Sequence, residues 1–154
     1  MYKSPRKEDL QASAALIRSK YLGKPMGTSN VAIAEIYLNG NISFCVGATS
    51  KTGRKTPTPQ PLPRSKGGQF EPSIIVFNDK GDSRAMDTDA EYKVLSEIAR
   101  ILEVYYPNNL NGKLYLYTEF KPCESCEGIL KQFQEKFLNI SIKVFWALPY
   151  PRIQ

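Results

Sequence analysis

Apolar and polar positions alternate with two clear periods along the 154-residue chain. In SPRKEDLQASAALIRSKYL, Leu10, Ala14, Ile17 and Tyr21 fall on one helical stripe, with Ser4 suited to capping and Pro5 to the first helical position. KPMGTSN breaks that pattern. VAIAEIYLNGNISFCVGAT then carries β-branched and aromatic residues on both sides of Asn39-Gly40, the signature of a β-hairpin. SIIVFND reads as a further strand or an extension of the hairpin. DTDAEYKVLSEIARILEVYY returns to the helical period, with Leu95, Ile98, Ala99, Leu102 and Tyr105 as its buried face. GKLYLYTEF is a strand, and PCESCEGILKQFQEKF a helix with Ile129, Leu130, Phe133 and Phe137 inward. ISIKVFWAL is a last strand before the tail PYPRIQ. Helix, hairpin, helix, strand, helix, strand is an order that points to an α/β sandwich.

Length and composition narrow this reading. The chain reads as one domain, residues 1–154, with residues 1–24 forming an N-terminal helix. A hydrophobic content of 42% and a charged content of 23% are ordinary for a folded domain of this size. No apolar run approaches the ~20 residues that span a bilayer. MYKSPRKEDLQ lacks the apolar core of a signal peptide, so no membrane association is expected. Residues 50–72 form a basic, proline-rich loop insertion: Pro57, Pro59, Pro61, Pro63 and Pro72 exclude a helix or strand interior. Lys51, Arg54, Lys55, Arg64 and Lys66 stand in it with no acid before Glu71. The segment is either a mobile loop with solvated charge or an arm along a phosphate backbone. The net charge of +6 favours polyanionic partners.

Three cysteines and no histidine make PCESC the most informative stretch. An odd, low cysteine count argues for reduced thiols. Cys123 and Cys126, at i and i+3, are neighbours on a helix, and the helix start stabilises thiolates. The pair could therefore chelate one metal. A closed structural zinc site needs a second pair of cysteines or histidines. Neither exists, since Cys45 stands alone and reads as a small buried hydrophobe. A redox Cys-x-x-Cys stays open, although such motifs usually follow the first strand of a βαβ unit.

A carboxylate could complete the set. Asp87, Thr88, Asp89 and Glu91 crowd the other helix start, where Thr88-x-x-Glu91 also reads as a plain capping box. Taken together, DAE and PCESC resemble the H-x-E…P-C-x-x-C signature of zinc-dependent nucleobase deaminases. The element order over roughly residues 30–147 is similar too, and DAEYKVLSEIARIL with GKLYLYTEFKPCESCEGILKQF looks most like the deaminase domains of bacterial polymorphic toxins. Asp89 stands where the family usually has histidine. Aspartate is an acceptable zinc ligand, but it makes the site more anionic and should leave a metal-bound water less acidic.

The resemblance implies a three-layer α-β-α sandwich of the cytidine deaminase-like fold, with an N-terminal hairpin and a mixed central sheet. It implies Zn2+ held by Asp89, Cys123 and Cys126, with an open position for water. Glu91 would be the catalytic proton carrier in converting cytosine to uracil by attack at C4. Backbone groups around Thr118, Glu119 and the Cys123 turn would line the pocket, and Phe120 would either pack on the target base or serve as a core aromatic at the strand end. Trp146 and Tyr150 would contact neighbouring bases, although simple burial is the plainer expectation for Trp146. Lys51 and Arg54 would meet the substrate backbone.

The leading expectation is a cytosine deaminase acting on single-stranded DNA, a monomeric toxin effector domain working in the cytoplasm of a target cell, with a cognate immunity protein as partner. Alternatives are RNA, duplex DNA or free cytidine as substrate. A binding module with a non-catalytic metal site, in which Glu91 only caps its helix, is the non-enzymatic rival.

Overall fold

The structure, a computed structural model, describes residues 7–24, 29–39, 42–51, 53–57, 70, 74–76, 83–85, 90–107, 111–120 and 124–148. Helix α1 (Lys7–Ile17) buries Leu10 and Ala14 and runs into a π turn, Arg18–Leu22. Gly23 ends it in the left-handed region at φ 64°, its N–H donating to the Arg18 carbonyl at 2.8 Å. A glycine takes that conformation without steric cost. Ser4 and Pro5 lie outside the described residues.

Strands β1 (Val31–Leu38) and β2 (Ile42–Thr49) pair antiparallel from Leu38↔Ile42 to Val31↔Thr49, as the hairpin signal predicts. β5 (Gly112–Phe120) lies antiparallel against the other edge of β1, and β6 (Ile140–Leu148) runs parallel to β5. The order β2-β1-β5-β6 makes a mixed four-stranded sheet. A separate two-stranded sheet joins β3 (Ile74–Val76) to β4 (Ser83–Ala85). Ile74–Val76 is thus a further strand with its own partner, and β4 had no sequence signal.

Period-two alternation sends the two faces of the sheet to different cores. Val31, Ile33, Tyr115 and Tyr117 meet Leu10 and Ala14 of α1. Ala32, Ala34, Ile36, Leu38, Leu114 and Leu116 meet α2 (Ala90–Tyr105) and α3 (Glu124–Lys136) on the opposite face. The protein is therefore a three-layer α/β sandwich. β1 is buried on both sides, which explains its nearly unbroken apolar run.

α2 is the central helix, and every residue from Ala90 to Ala99 is buried. Its far end emerges from the fold: Tyr105, expected inward, is 64% exposed. Ile129, Phe133 and Phe137 are buried as expected, and Leu130 partly so. Phe70, near the end of the proline-rich segment, is also core: its ring lies 6.1 Å from that of Phe133, and its carbonyl accepts the Tyr92 hydroxyl at 2.7 Å. Cys45 corrects another expectation. It is exposed on β2, opposite Glu35, on the side of the sheet where α1 reaches Val31 and Ile33.

Candidate active site

The C-terminal end of β5 distributes its side chains to both faces. Thr118 follows Leu114 and Leu116 toward α2, while Glu119 follows Tyr115 and Tyr117 toward α1. Both are buried, at 0% and 1% exposure. Ala90, also fully buried, opens α2 against this end of the sheet, so the first helical turn places Glu91 beside Thr118. Thr118 Oγ1 donates to Glu91 Oε1 at 2.8 Å. Glu91 is 3% exposed, and an acid in a first turn is favoured by the helix dipole. A buried carboxylate held by hydrogen bonds is the arrangement a proton carrier needs.

Asn30, immediately ahead of β1, joins them. Its Nδ2 donates to Glu91 Oε1 and, at 2.8 Å, to Thr118 Oγ1. Its Oδ1 accepts the Phe120 N–H at 3.2 Å. The Asn30 backbone exchanges two bonds with Ser50: its N–H donates to Ser50 Oγ at 3.0 Å, and its carbonyl accepts the Ser50 N–H at 2.9 Å. No local signal points to Asn30, because every one of these partners is 20 or more positions away.

Two further anchors frame the site. Lys93, one turn along α2 and 3% exposed, donates to the carbonyls of Thr49, at 2.9 Å, and Lys51. With Thr49 Oγ1 donating to the Lys55 carbonyl at 2.5 Å and Thr56 Oγ1 accepting the Thr49 N–H at 3.0 Å, the turn carrying Lys51 and Arg54 is tied down while both basic side chains stay exposed. On the α1 face, Arg18 forms a bidentate pair with Glu119, Nε to Oε2 at 2.8 Å and Nη2 to Oε1 at 2.5 Å. Both partners are buried.

Residues 16–147 match the deaminase family described as the BURPS668_1122 family. The chain belongs to the Toxin-deaminase family. No curated protein matches the sequence. Membership makes the chain a deaminase, a hydrolase acting on C–N bonds, of a toxin family.

Within that Toxin-deaminase frame the sequence-predicted residues divide. Glu91 and Thr118 meet directly, and Phe120 is joined to Glu91 through Asn30. Trp146 is the Cα partner of Thr118 across the β5–β6 pair. At 40% exposure it corrects the expectation of burial, because β6 is an edge of the sheet. Asp89, Cys123 and Tyr150 lie outside the described residues, and of Cys126 the structure gives the backbone position on α3. Among the described residues no three acids, cysteines or histidines gather around a metal position. The donor types at the two helix starts nevertheless fit Zn2+, which accepts thiolate and carboxylate ligands. Asp89 precedes α2 by one residue, and Cys123 precedes α3 by one residue, three after β5 ends.

Proposed function

We propose that this Toxin-deaminase converts cytosine to uracil in single-stranded DNA, with Asp89, Cys123 and Cys126 as zinc ligands and Glu91 as proton carrier. The observation that carries the reading is the Glu91 carboxylate, buried in the first turn of α2 and held by Thr118 and Asn30. When bound, Zn2+ would supply Lewis acidity and lower the pKa of a water. Glu91 takes a proton from the attacking water, passes it to N3 of the base and helps protonate the departing ammonia. Thr118 and Asn30 keep the carboxylate in place through these transfers.

Exposed Trp146 beside Thr118, exposed Lys51 and Arg54 on a tied turn, and the +6 charge support a polymeric, single-stranded substrate. Thr118 and Phe120 would wall the pocket, and Tyr150 would follow Trp146 as a base contact. As a toxin-family domain it would work as a monomer in a target cell's cytoplasm, with an immunity protein as partner. No described helix is long and apolar enough to cross a membrane.

The test is sequencing of a mixed-context single-stranded oligonucleotide after incubation with zinc-loaded protein, with Glu91→Ala in parallel. Cytosine-to-uracil conversion that disappears in the variant supports the reading. Conversion confined to RNA, duplex DNA or free cytidine replaces the substrate and keeps the reaction. Activity undiminished in Glu91→Ala removes Glu91 from the chemistry.

A further inference from the structure

The Asn30 side chain spends both of its amide protons on the Glu91–Thr118 pair. One goes to Glu91 Oε1, the other to Thr118 Oγ1 at 2.8 Å, while Thr118 donates to the same Oε1 at 2.8 Å. Glu91 Oε1 therefore accepts two donated hydrogen bonds, which occupy the two lone pairs of a carboxylate oxygen. The third polar valence of Asn30, Oδ1, is held by the Phe120 N–H, and Ser50 holds its backbone on both sides. A residue needed only to start β1 would require the backbone bonds alone.

The flanks of Asn30 are fixed from the other face of the sheet. Arg18 Nη2 donates to the Ser29 carbonyl, and Nη1 to the Lys24 carbonyl at 3.1 Å. Glu119 Oε1 accepts the Val31 N–H at 3.1 Å. The buried Arg18–Glu119 pair thus grips the residue before Asn30 and the residue after it. A guanidinium suits this task, since its planar fork binds a carboxylate and carbonyls in fixed directions.

We propose that Asn30 is a positioning residue of this deaminase: bracketed by the Arg18–Glu119 pair, its carboxamide acts with the Thr118 hydroxyl to hold the Glu91 carboxylate by Oε1 and fix its direction. This rests on reading Glu91 as the proton carrier. It adds which residue, silent in the sequence, aims the carboxylate, and which ion pair holds that residue in turn.

Two readouts test it. The first is kcat and KM of zinc-loaded Asn30→Asp and Asn30→Ala on a single-stranded oligonucleotide, with melting temperatures measured alongside. Asn30→Asp keeps the shape and replaces the donor with an acceptor facing Oε1. Both variants should lose about 10²-fold in kcat, the scale of a small misplacement of a catalytic group, with KM within about twofold of the parent. A folded variant whose kcat stays within about threefold of the parent overturns the proposal.

The second readout needs no turnover. The Asn30 side-chain amide protons, assigned in an NMR spectrum by through-bond correlations in the parent protein, should exchange slowly with water and shift in Glu91→Gln. Amide protons that exchange freely, or that ignore Glu91→Gln, overturn the proposal even if the Asn30 variants fail to fold. If the parent deaminates no cytosine substrate while the amide behaves as expected, the substrate reading fails and the Asn30–Glu91 lock stands.

Discussion

Trp146 sits directly beside Thr118 across the parallel β5–β6 pair, so an exposed indole and the hydroxyl that binds Glu91 share one face of the sheet. Their backbones are roughly one strand spacing, about 4.8 Å, apart. Removing the indole should therefore weaken the grip on a neighbouring base without touching the carboxylate. Trp146→Ala is expected to raise KM for a single-stranded oligonucleotide on the order of tenfold, the low end of a base–aromatic stack. Turnover of free cytidine, if it occurs, should be unchanged. Equal KM for parent and variant on long oligonucleotides would remove Trp146 from substrate binding.

The Arg18–Glu119 pair should matter more to stability than any surface ion pair. Arg18→Met leaves Glu119 buried and uncompensated and is expected to cost about 3–5 kcal/mol in urea unfolding. The double variant Arg18→Met, Glu119→Gln should recover part of that loss, because it removes the stranded charge. Additive losses in the two single variants and the double would show that the pair does not act as a unit.

Gly112 opens β5 against Leu38, and a Cβ there would collide with the backbone carbonyl of Tyr37. Backbone cannot turn aside as a flexible side chain can. Gly112→Ala is expected to lower stability by about 1–3 kcal/mol, the usual cost of overpacking. Thermal melting of the purified variant measures it, and an unchanged midpoint would mean that the β1–β5 edge yields easily.

Cys45 is exposed yet should be a poor nucleophile. Desolvation beside its strand neighbours, and then the Glu35 carboxylate, push its thiol from the ordinary 9.0 to about 11. A folded-state pKa raised in this way leaves stability intact below pH 9 and erodes it as pH rises from 9 to 11, because the unfolded thiol ionises first. The parent should lose stability more steeply over that window than Cys45→Ser. Alkylation of Cys45 should be slow at neutral pH, since the thiolate is the reactive form.

These residues show where sequence reading succeeds. Helical spacing of Leu95, Ile98 and Leu102 and of Ile129 and Phe133 placed two helices on the sheet, since burial of a stripe is a local property. The Asn39-Gly40 signal located the β1–β2 hairpin but not its register, since Leu38 pairs with Ile42 and three residues, not two, separate the strands. Tyr105 and Cys45 misled because their periodicity outlasts the layer that covers it. β4, three residues reading Ser-Arg-Ala, carries no β-forming signal at all. Glu91 stood out through its place in the DAE motif and Thr118 through the family resemblance; the structure adds that the two meet. Asn30 and Arg18 did not, because an asparagine before a strand and an arginine in a helix are ordinary until the chain brings distant partners to them.

That distance has a consequence for the life of the protein. Asn30 meets Glu91 across 61 positions of sequence, Glu91 meets Thr118 across 27, and Arg18 meets Glu119 across 101. No fragment that ends short of positions 18 and 119 contains all of these partners, and the extended chain does not bring them together. An unfolded copy carries all the residues and none of the site. The site exists only once the sheet has closed, so folding itself withholds it until then.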